Sequence, residues 1–280
     1  MDSVTIRVPA TTANLGPGYD CLGVALQLFN EVKTRRSRER QDSGAMADAA
    51  AEQFFRAAKV PPFDFEWSVS GEVPRSRGLG SSVTVRLGLL HGLNELTGKP
   101  LSKEQLFRAC AELEGHPDNA APAAFGGFTV AGGPEIARVP VSSALYFVLL
   151  IPDFEIATPD ARRVLPPTLD RLAAARSCAN ACRITAAFAT QRYELLRGAF
   201  EDELHQPFRE KELIPFLSDT IRAGEAVGAL GGFLSGSGST ICCLTLEEPE
   251  RVAEAMLQAS GQAGARAIIT SADPTGAQRV

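Results

Sequence analysis

Apolar and polar residues alternate from the start of the chain. Val4, Ile6 and Val8 interleave with Thr5 and Arg7, the period of a strand with one buried face. That strand is expected to end at Pro9, and GVALQLFNEVKTR (23–35) predicts a second. In FDFEWSVS (63–70), Phe63, Phe65, Trp67 and Val69 share one face, the clearest strand pattern in the chain. A short strand is expected in GGFTVAGG (126–133), and the continuous apolar run ALYFVLLI (144–151) predicts a strand buried on both faces. Further strands are predicted at 229–235, 240–245 and 265–270.

Between them lie helical patterns. An alanine-rich stretch covers 45–59, a second helix about 81–96, and a third 101–115, where Ser102 and Gln105 have capping-box spacing. Others are expected at about 168–188, 190–204, 211–226 and 248–261, and the polar run 35–44 is read as an exposed connection. Strands and helices interleave in both halves, which points to a two-layer α+β or α/β protein. The boundary is expected within 132–142, giving domains 1–139 and 140–280.

Composition narrows the partners. The 280 residues carry a net charge of −5, which argues against nucleic acid or an anionic membrane as a partner. No apolar run is long enough to span a bilayer, and the first residues lack the basic-then-apolar order of a secretory signal. The six cysteines form no C-x-x-C pair, so a reducing compartment, the cytoplasm, is expected. Cys178 and Cys182 share a helix face and are read as small buried hydrophobes.

Three loops carry the candidate chemistry. RGLGSSVT (77–84) follows a strand and opens a helix. A helix N-terminus leaves unpaired N–H groups and a partial positive charge, so an anion is stabilised there, and glycines let the backbone approach it closely. The loop is neither a Walker A sequence nor G-x-G-x-x-G, and taken alone it reads as a structural cap ahead of a nucleotide site. EGHPDN (114–119) crowds Glu114, His116, Asp118 and Asn119 into six residues. An ordinary turn accounts for its Gly and Pro but not for the cluster of polar groups, and Glu114 is a plausible hard-oxygen ligand for Mg²⁺. LSGSGST (234–240) by itself is an ordinary hairpin turn.

Read together, PATTANLGPGYDCLG (9–23), PRSRGLGSSV (74–83) and LSGSGST (234–240) resemble the three motifs of the GHMP small-molecule kinases. EGHPDNAAPAAFGG (114–127), TPDARRVLP (158–166) and HQPFREKELIP (205–215) bring the resemblance closer to the homoserine kinases, over nearly the whole chain. The resemblance implies the GHMP kinase fold: an N-terminal domain like the second domain of ribosomal protein S5, a C-terminal ferredoxin-like domain, and a site in the cleft between them. It implies transfer of the ATP γ-phosphoryl group to the side-chain hydroxyl of L-homoserine, a step of threonine biosynthesis, by a homodimer. The alternatives are a kinase for another small hydroxy amino acid or alcohol, or a non-catalytic metabolite-binding protein of the same fold.

Residue by residue, the resemblance implies that ATP is held by Pro74, Arg75, Ser76, Arg77, Gly78, Leu79, Gly80, Ser81, Ser82, Val83 and Thr84, and Mg²⁺ by Ser82 and Glu114. The amino acid falls to Asn14, Asp20, His116, Asp118, Arg162 and Arg209, with Asn14, Asp20, Asn119 and Arg162 as the catalytic positions. No general base is assigned. The chemistry agrees, since a zwitterion needs carboxylates for its ammonium and planar guanidinium forks for its carboxylate. Where the family commonly has small residues after GLGSS this chain has Val83, Thr84 and Arg86, and Ser239 stands where proline is usual. Arg86 falls in the first turns of the expected helix, where a cation is unfavourable.

Overall fold

The computed structural model describes residues 2–38, 44–132 and 135–280. Part of the connection expected at 35–44, and part of the expected boundary region, lie outside the described residues.

β1 (Ser3–Ala13) does not stop at Pro9. Its register with β2 (Leu22–Arg36) shifts between Pro9 and Ala10, and that irregularity accommodates a residue with no N–H, so the strand carries on for four more residues. It thereby runs through the first third of the PATTANLGPGYDCLG motif (9–23) and delivers Asn14 just past its end. β2 pairs with β3 (Phe65–Gly71) through its C-terminal half and with β4 (Phe128–Ala131) at its start, and β5 (Ile136–Val139) extends the edge.

α1 (Ala45–Ala58), α2 (Ser81–Leu96) and α3 (Lys103–Glu114) cover this sheet, with the short α4 (Ala120–Phe125) formed inside the polar loop after α3. α2 lies unusually close to β2. A Cβ on Gly88 would sit 2.5 Å from Val32 Cγ2, and one on Gly92 would sit 2.4 Å from Thr34 Oγ1. The expected capping box at Ser102 and Gln105 is present at the start of α3.

The second half builds a four-stranded antiparallel sheet from β6 (Tyr146–Ile151), β7 (Gly231–Leu234), β8 (Ile241–Thr245) and β9 (Arg266–Ser271), in the spatial order β7-β8-β6-β9. Between β6 and β7 lie α5 (Thr158–Arg163), α6 (Arg171–Thr190), α7 (Gln206–Glu212) and α8 (Leu217–Ala226), and α9 (Pro249–Ser260) joins β8 to β9. The order strand–helix–strand–strand–helix–strand is the ferredoxin-like plan. A last short strand, β10 (Gln278–Arg279), returns to pair with β1 in the first sheet.

Two expected helices differ. The run 211–226 is split, because Pro215 cannot continue α7 and constrains the residue before it. The helix expected at 190–204 is only a 3₁₀ turn, Tyr193–Leu196, followed by irregular chain. There the Asp202 carboxylate accepts hydrogen bonds from the N–H groups of Leu204, His205 and Gln206, which starts α7 instead. Cys178 and Cys182 are exposed, not buried: α6 buries the stripe Ala173, Ser177, Ile184, Ala187 and Phe188, and both cysteines fall off it.

One apolar cluster fastens the halves together. Phe128 of the first sheet stacks on Phe188 of α6 with ring centres 4.3 Å apart, among Leu26, Phe147 and Leu149. No described helix is long and apolar enough to cross a membrane.

Candidate active site

The loops of the three motifs, at 14–21 (the first), 74–80 (the second) and 235–240 (the third), lie far apart in sequence and are stitched to one another. Thr12 Oγ1 and Ser235 Oγ are 2.8 Å apart, the Gly236 N–H donates to Ala13 O, and Asn14 Nδ2 donates to Gly236 O at 2.9 Å. Ser235 Oγ also donates to Gly78 O at 2.7 Å, and the Thr240 N–H donates to Arg77 O. Gly78 has φ +74°, and a Cβ there would stand 2.1 Å from Ser235 O. Gly80 has φ +66°, and its Cβ would strike Thr11 Oγ1, which itself donates to Asn119 Oδ1 at 2.7 Å. Both positions therefore need glycine for conformation and for close approach.

Around these loops lies a cleft of about 670 Å³. Its floor is the start of α2. Gly80 caps that helix in a left-handed conformation and no side chain caps it, so the bland reading of the loop as a serine N-cap does not hold. The first-turn N–H groups instead open beside Ser81, Ser82 and Val83 in the cleft wall, a setting that stabilises an anion. Arg75, Ser76, Arg77 and Gly78 line the same wall. Arg77 is held by Pro152 O at 3.1 Å and by Glu155 at 3.3 Å, which fixes the loop to the second half.

Not every residue of the loop faces the cleft. Pro74, Leu79 and Thr84 do not line it. Leu79 is fully buried in the apolar cluster, and Thr84 is fully buried with its hydroxyl accepting from Asn30 Nδ2 and donating to Ser81 O. Any role of theirs toward a nucleotide is through the backbone shape they maintain, because their side chains are spent on the core.

Opposite the α2 terminus, Ser82 Oγ donates to Glu114 Oε2 at 3.1 Å, and Arg86 Nη1 lies 2.6 Å from Glu114 Oε1. Arg86 also donates to Leu113 O in the last turn of α3. Its charge, misplaced for the start of α2, thus serves the negative end of α3.

The same cleft also gathers Asn14, Asp20, His116, Asp118, Asn119, Arg162 and Arg209. Asp20 has φ +56° and pairs with Arg162, Nη2 to Oδ1 3.0 Å. His116 Nδ1 and Asp118 Oδ1 are 2.6 Å apart, and this bond holds the imidazole above its ordinary pKa. Asp20, His116 and Asp118 present their ligating atoms within 4.8 Å of one another, an acidic corner suited to an ammonium group or a cation. Arg209 is 2% exposed, donating from Nε to Ala161 O at 3.1 Å and from Nη1 to Gly236 O at 2.8 Å. Among the described residues this leaves Nη2 for the cleft.

His205 belongs to this group and is not among the residues expected from sequence. An arginine can only donate, so Arg209 Nη1, 3.1 Å from His205 Nδ1, makes Nδ1 the acceptor. Nε2 then carries the proton and donates to Gly16 O at 2.9 Å. The neutral ring ties Arg209 to the first loop. The one sequence signal was its i, i+4 spacing to Arg209 across the first turn of α7.

Burial pushes the His205 pKa down to about 4. The unfolded chain takes up this proton near pH 6.5 and the folded one only near pH 4, so stability is full above 6.5 and falls as pH drops toward 4. His116 has the opposite slope and is common to wild type and variant. The urea-unfolding free energy of His205→Gln should therefore lie below wild type at pH 7, with the gap closing by about 2–3 kcal/mol toward pH 4.5. A gap that stays constant over that range would refute the buried neutral histidine.

The chain is similar to known proteins. Residues 45–127 match the GHMP kinases N terminal domain, and residues 184–263 match the GHMP kinases C terminal domain. A homoserine kinase of Microchaete diplosiphon is 39% identical, over 94% of this chain and 91% of its own. One of Clostridium beijerinckii is 37% identical, over 89% of this chain and 88% of its own. The crystal structure of homoserine kinase from Cytophaga hutchinsonii superposes with a TM-score of 0.90 at 25% identity, covering 100% of this chain and 98% of that one. The α+β architecture is thus the GHMP kinase fold, and the chain belongs to the homoserine kinase family.

Proposed function

We propose that the protein transfers the γ-phosphoryl group of ATP to the side-chain hydroxyl of L-homoserine, releasing ADP and O-phospho-L-homoserine. The observation that carries this reading is one cleft lined by two chemically distinct groups of residues. An uncapped helix N-terminus with Ser82 and Glu114 is the first, and a set of two carboxylates and two arginines is the second.

The loop 75–83 receives the phosphates through first-turn N–H groups at the positive end of α2. Asp20 and Asp118 attract the substrate ammonium, while Arg209 and Arg162 take its carboxylate. With both ends of the acceptor held, its hydroxyl is directed at the γ-phosphorus. The hydroxyl oxygen forms the new P–O bond, the bond to ADP breaks with its electron pair going to the ADP oxygen, and the hydroxyl proton is released to water. The transition state is loose, so positioning and charge neutralisation supply most of the rate and no strong base is required. Asn14 and Asn119 hold the first loop and the 114–119 loop in place through Gly236 O and Thr11 Oγ1.

Ser82 Oγ and a Glu114 oxygen form a hard-oxygen pair on the cleft wall, the donor chemistry that Mg²⁺ accepts alongside phosphate oxygens. When bound, the ion would neutralise charge on the transferring phosphoryl group. The division at 139/140 is part of this reading. It is supported by the separate sheets on either side, although the chain's last strand returns to the first sheet.

The test is ADP release with Mg·ATP in the presence of L-homoserine, L-threonine, mevalonate or no acceptor. Turnover should appear with homoserine and fall by about 10²-fold or more in Ser82→Ala. Turnover on mevalonate alone would sink the amino-acid reading and keep a kinase of this fold. ATP binding with no turnover on any acceptor would favour a non-catalytic protein.

A further inference from the structure

Arg86 is an anomaly in the cleft. It stands near the positive end of α2, yet its guanidinium occupies one oxygen of Glu114, the carboxylate assigned above to Mg²⁺. The Glu114 side chain is 9% exposed and that of Arg86 22%. Glu114 Oε1 is covered by Arg86 and Oε2 by Ser82. A largely buried carboxylate without a counter-charge is costly, and here the counter-charge is already installed. It is incompletely satisfied there, because Arg86 Nε is buried with no partner among the described residues.

We infer that Arg86 is a resident counter-ion of the metal-binding carboxylate, one that excludes free divalent cations and yields only to a cation arriving with nucleotide phosphates. This inference rests on the reading of Ser82 and Glu114 as the metal-binding pair. The physical reason is charge balance. A free divalent ion approaching Glu114 meets a fixed positive charge in contact with the same carboxylate. A metal–nucleotide complex brings net negative charge, so its phosphates offset the guanidinium and give Arg86 an alternative partner in the same cleft. Arg86 is thus a positioning residue. It holds Glu114 ready while the site is empty and favours the loaded nucleotide over the bare ion.

The experiment is titration of the purified enzyme with Mn²⁺ followed by electron paramagnetic resonance, without nucleotide and then with ADP. Wild type, Arg86→Ala, Arg86→Lys and Glu114→Gln are compared, with Arg86→Gln in place of the alanine variant if that fails to fold. Removing the guanidinium should tighten free Mn²⁺ binding about tenfold, the scale of one partly buried ion pair. Arg86→Lys should remain near wild type, because the charge is kept. With ADP present the advantage of the neutral variant should disappear. If Glu114→Gln abolishes Mn²⁺ binding but Arg86→Ala changes it less than twofold, the counter-ion role is overturned and the metal assignment stands. If Glu114→Gln leaves Mn²⁺ binding as in wild type, the metal assignment itself is wrong and the inference falls with it.

Discussion

Arg209→Ala should lower kcat/KM for homoserine by about 10²- to 10³-fold while KM for ATP stays within about threefold of wild type. Arg209 is a deeply buried charge of the cleft, at 2% exposed, and its Nε and Nη1 are committed to Ala161 O, Gly236 O and His205. It cannot swing away to be replaced by water. A guanidinium prepositioned in this manner binds a carboxylate without first losing side-chain entropy, so its loss falls on the amino acid. Nothing in its bonding reaches Ser82 or Glu114. Steady-state kinetics with each substrate varied in turn checks this, and a parallel rise in both KM values would mean that Arg209 supports the whole cleft rather than one ligand. Removal also takes the Arg209 donors from Ala161 O and His205 Nδ1, while Gly236 O keeps Asn14 Nδ2, so a fall in Tm is expected alongside. Arg209→Lys separates the two effects: it restores charge but cannot serve Ala161 O, Gly236 O and the substrate together.

The second large effect is structural. Gly78→Ala should cost about 3 kcal/mol of stability, and the surviving folded protein should bind ATP poorly. Two independent penalties meet there. A φ of +74° disfavours any side chain, and the added Cβ would lie 2.1 Å from Ser235 O, a backbone atom fixed in the stitched loops. Relief requires separating the second loop from the third, which breaks the Ser235–Gly78 hydrogen bond and moves the start of α2. Urea unfolding and ATP-analogue titration read the two consequences. An alanine variant with wild-type values in both would show that these loops are not rigidly joined.

Much of the local structure was legible in the chain. The alternation through Phe65 and Trp67, the apolar run 144–151 and the Ser102 capping box are local patterns, and local patterns survive folding. The loops rich in Gly, Ser, Asn and Asp were equally visible, because their composition suits no regular element. The misreadings have two causes: a distant partner overruled a local signal, or a competing local group outweighed the one that was read. Pro9 ends a strand in isolation, but a register shift against β2 accommodates it. The helical composition of 190–204 gave way to Asp202 starting α7, and the cysteines of α6 were turned outward by the position of its apolar stripe.

For the cleft the division is sharper. The order of residues along the chain sets which types are on hand: glycines able to adopt positive φ, hydroxyls before a helix, acids after one, and arginines in flanked motifs. The contacts each one makes come from the fold. Arg86 looked ill placed on its own helix, and it is satisfied by the far end of α3 and by Glu114. His205 gave little sign of a role until the fold set it between Arg209 and Gly16. Leu79 and Thr84 sit inside the motif, yet they face the core. Hydrogen bonds and ion pairs act over a few ångströms, and the groups they join here are separated by tens to hundreds of residues along the chain. Their geometry therefore exists only once both sheets are in place.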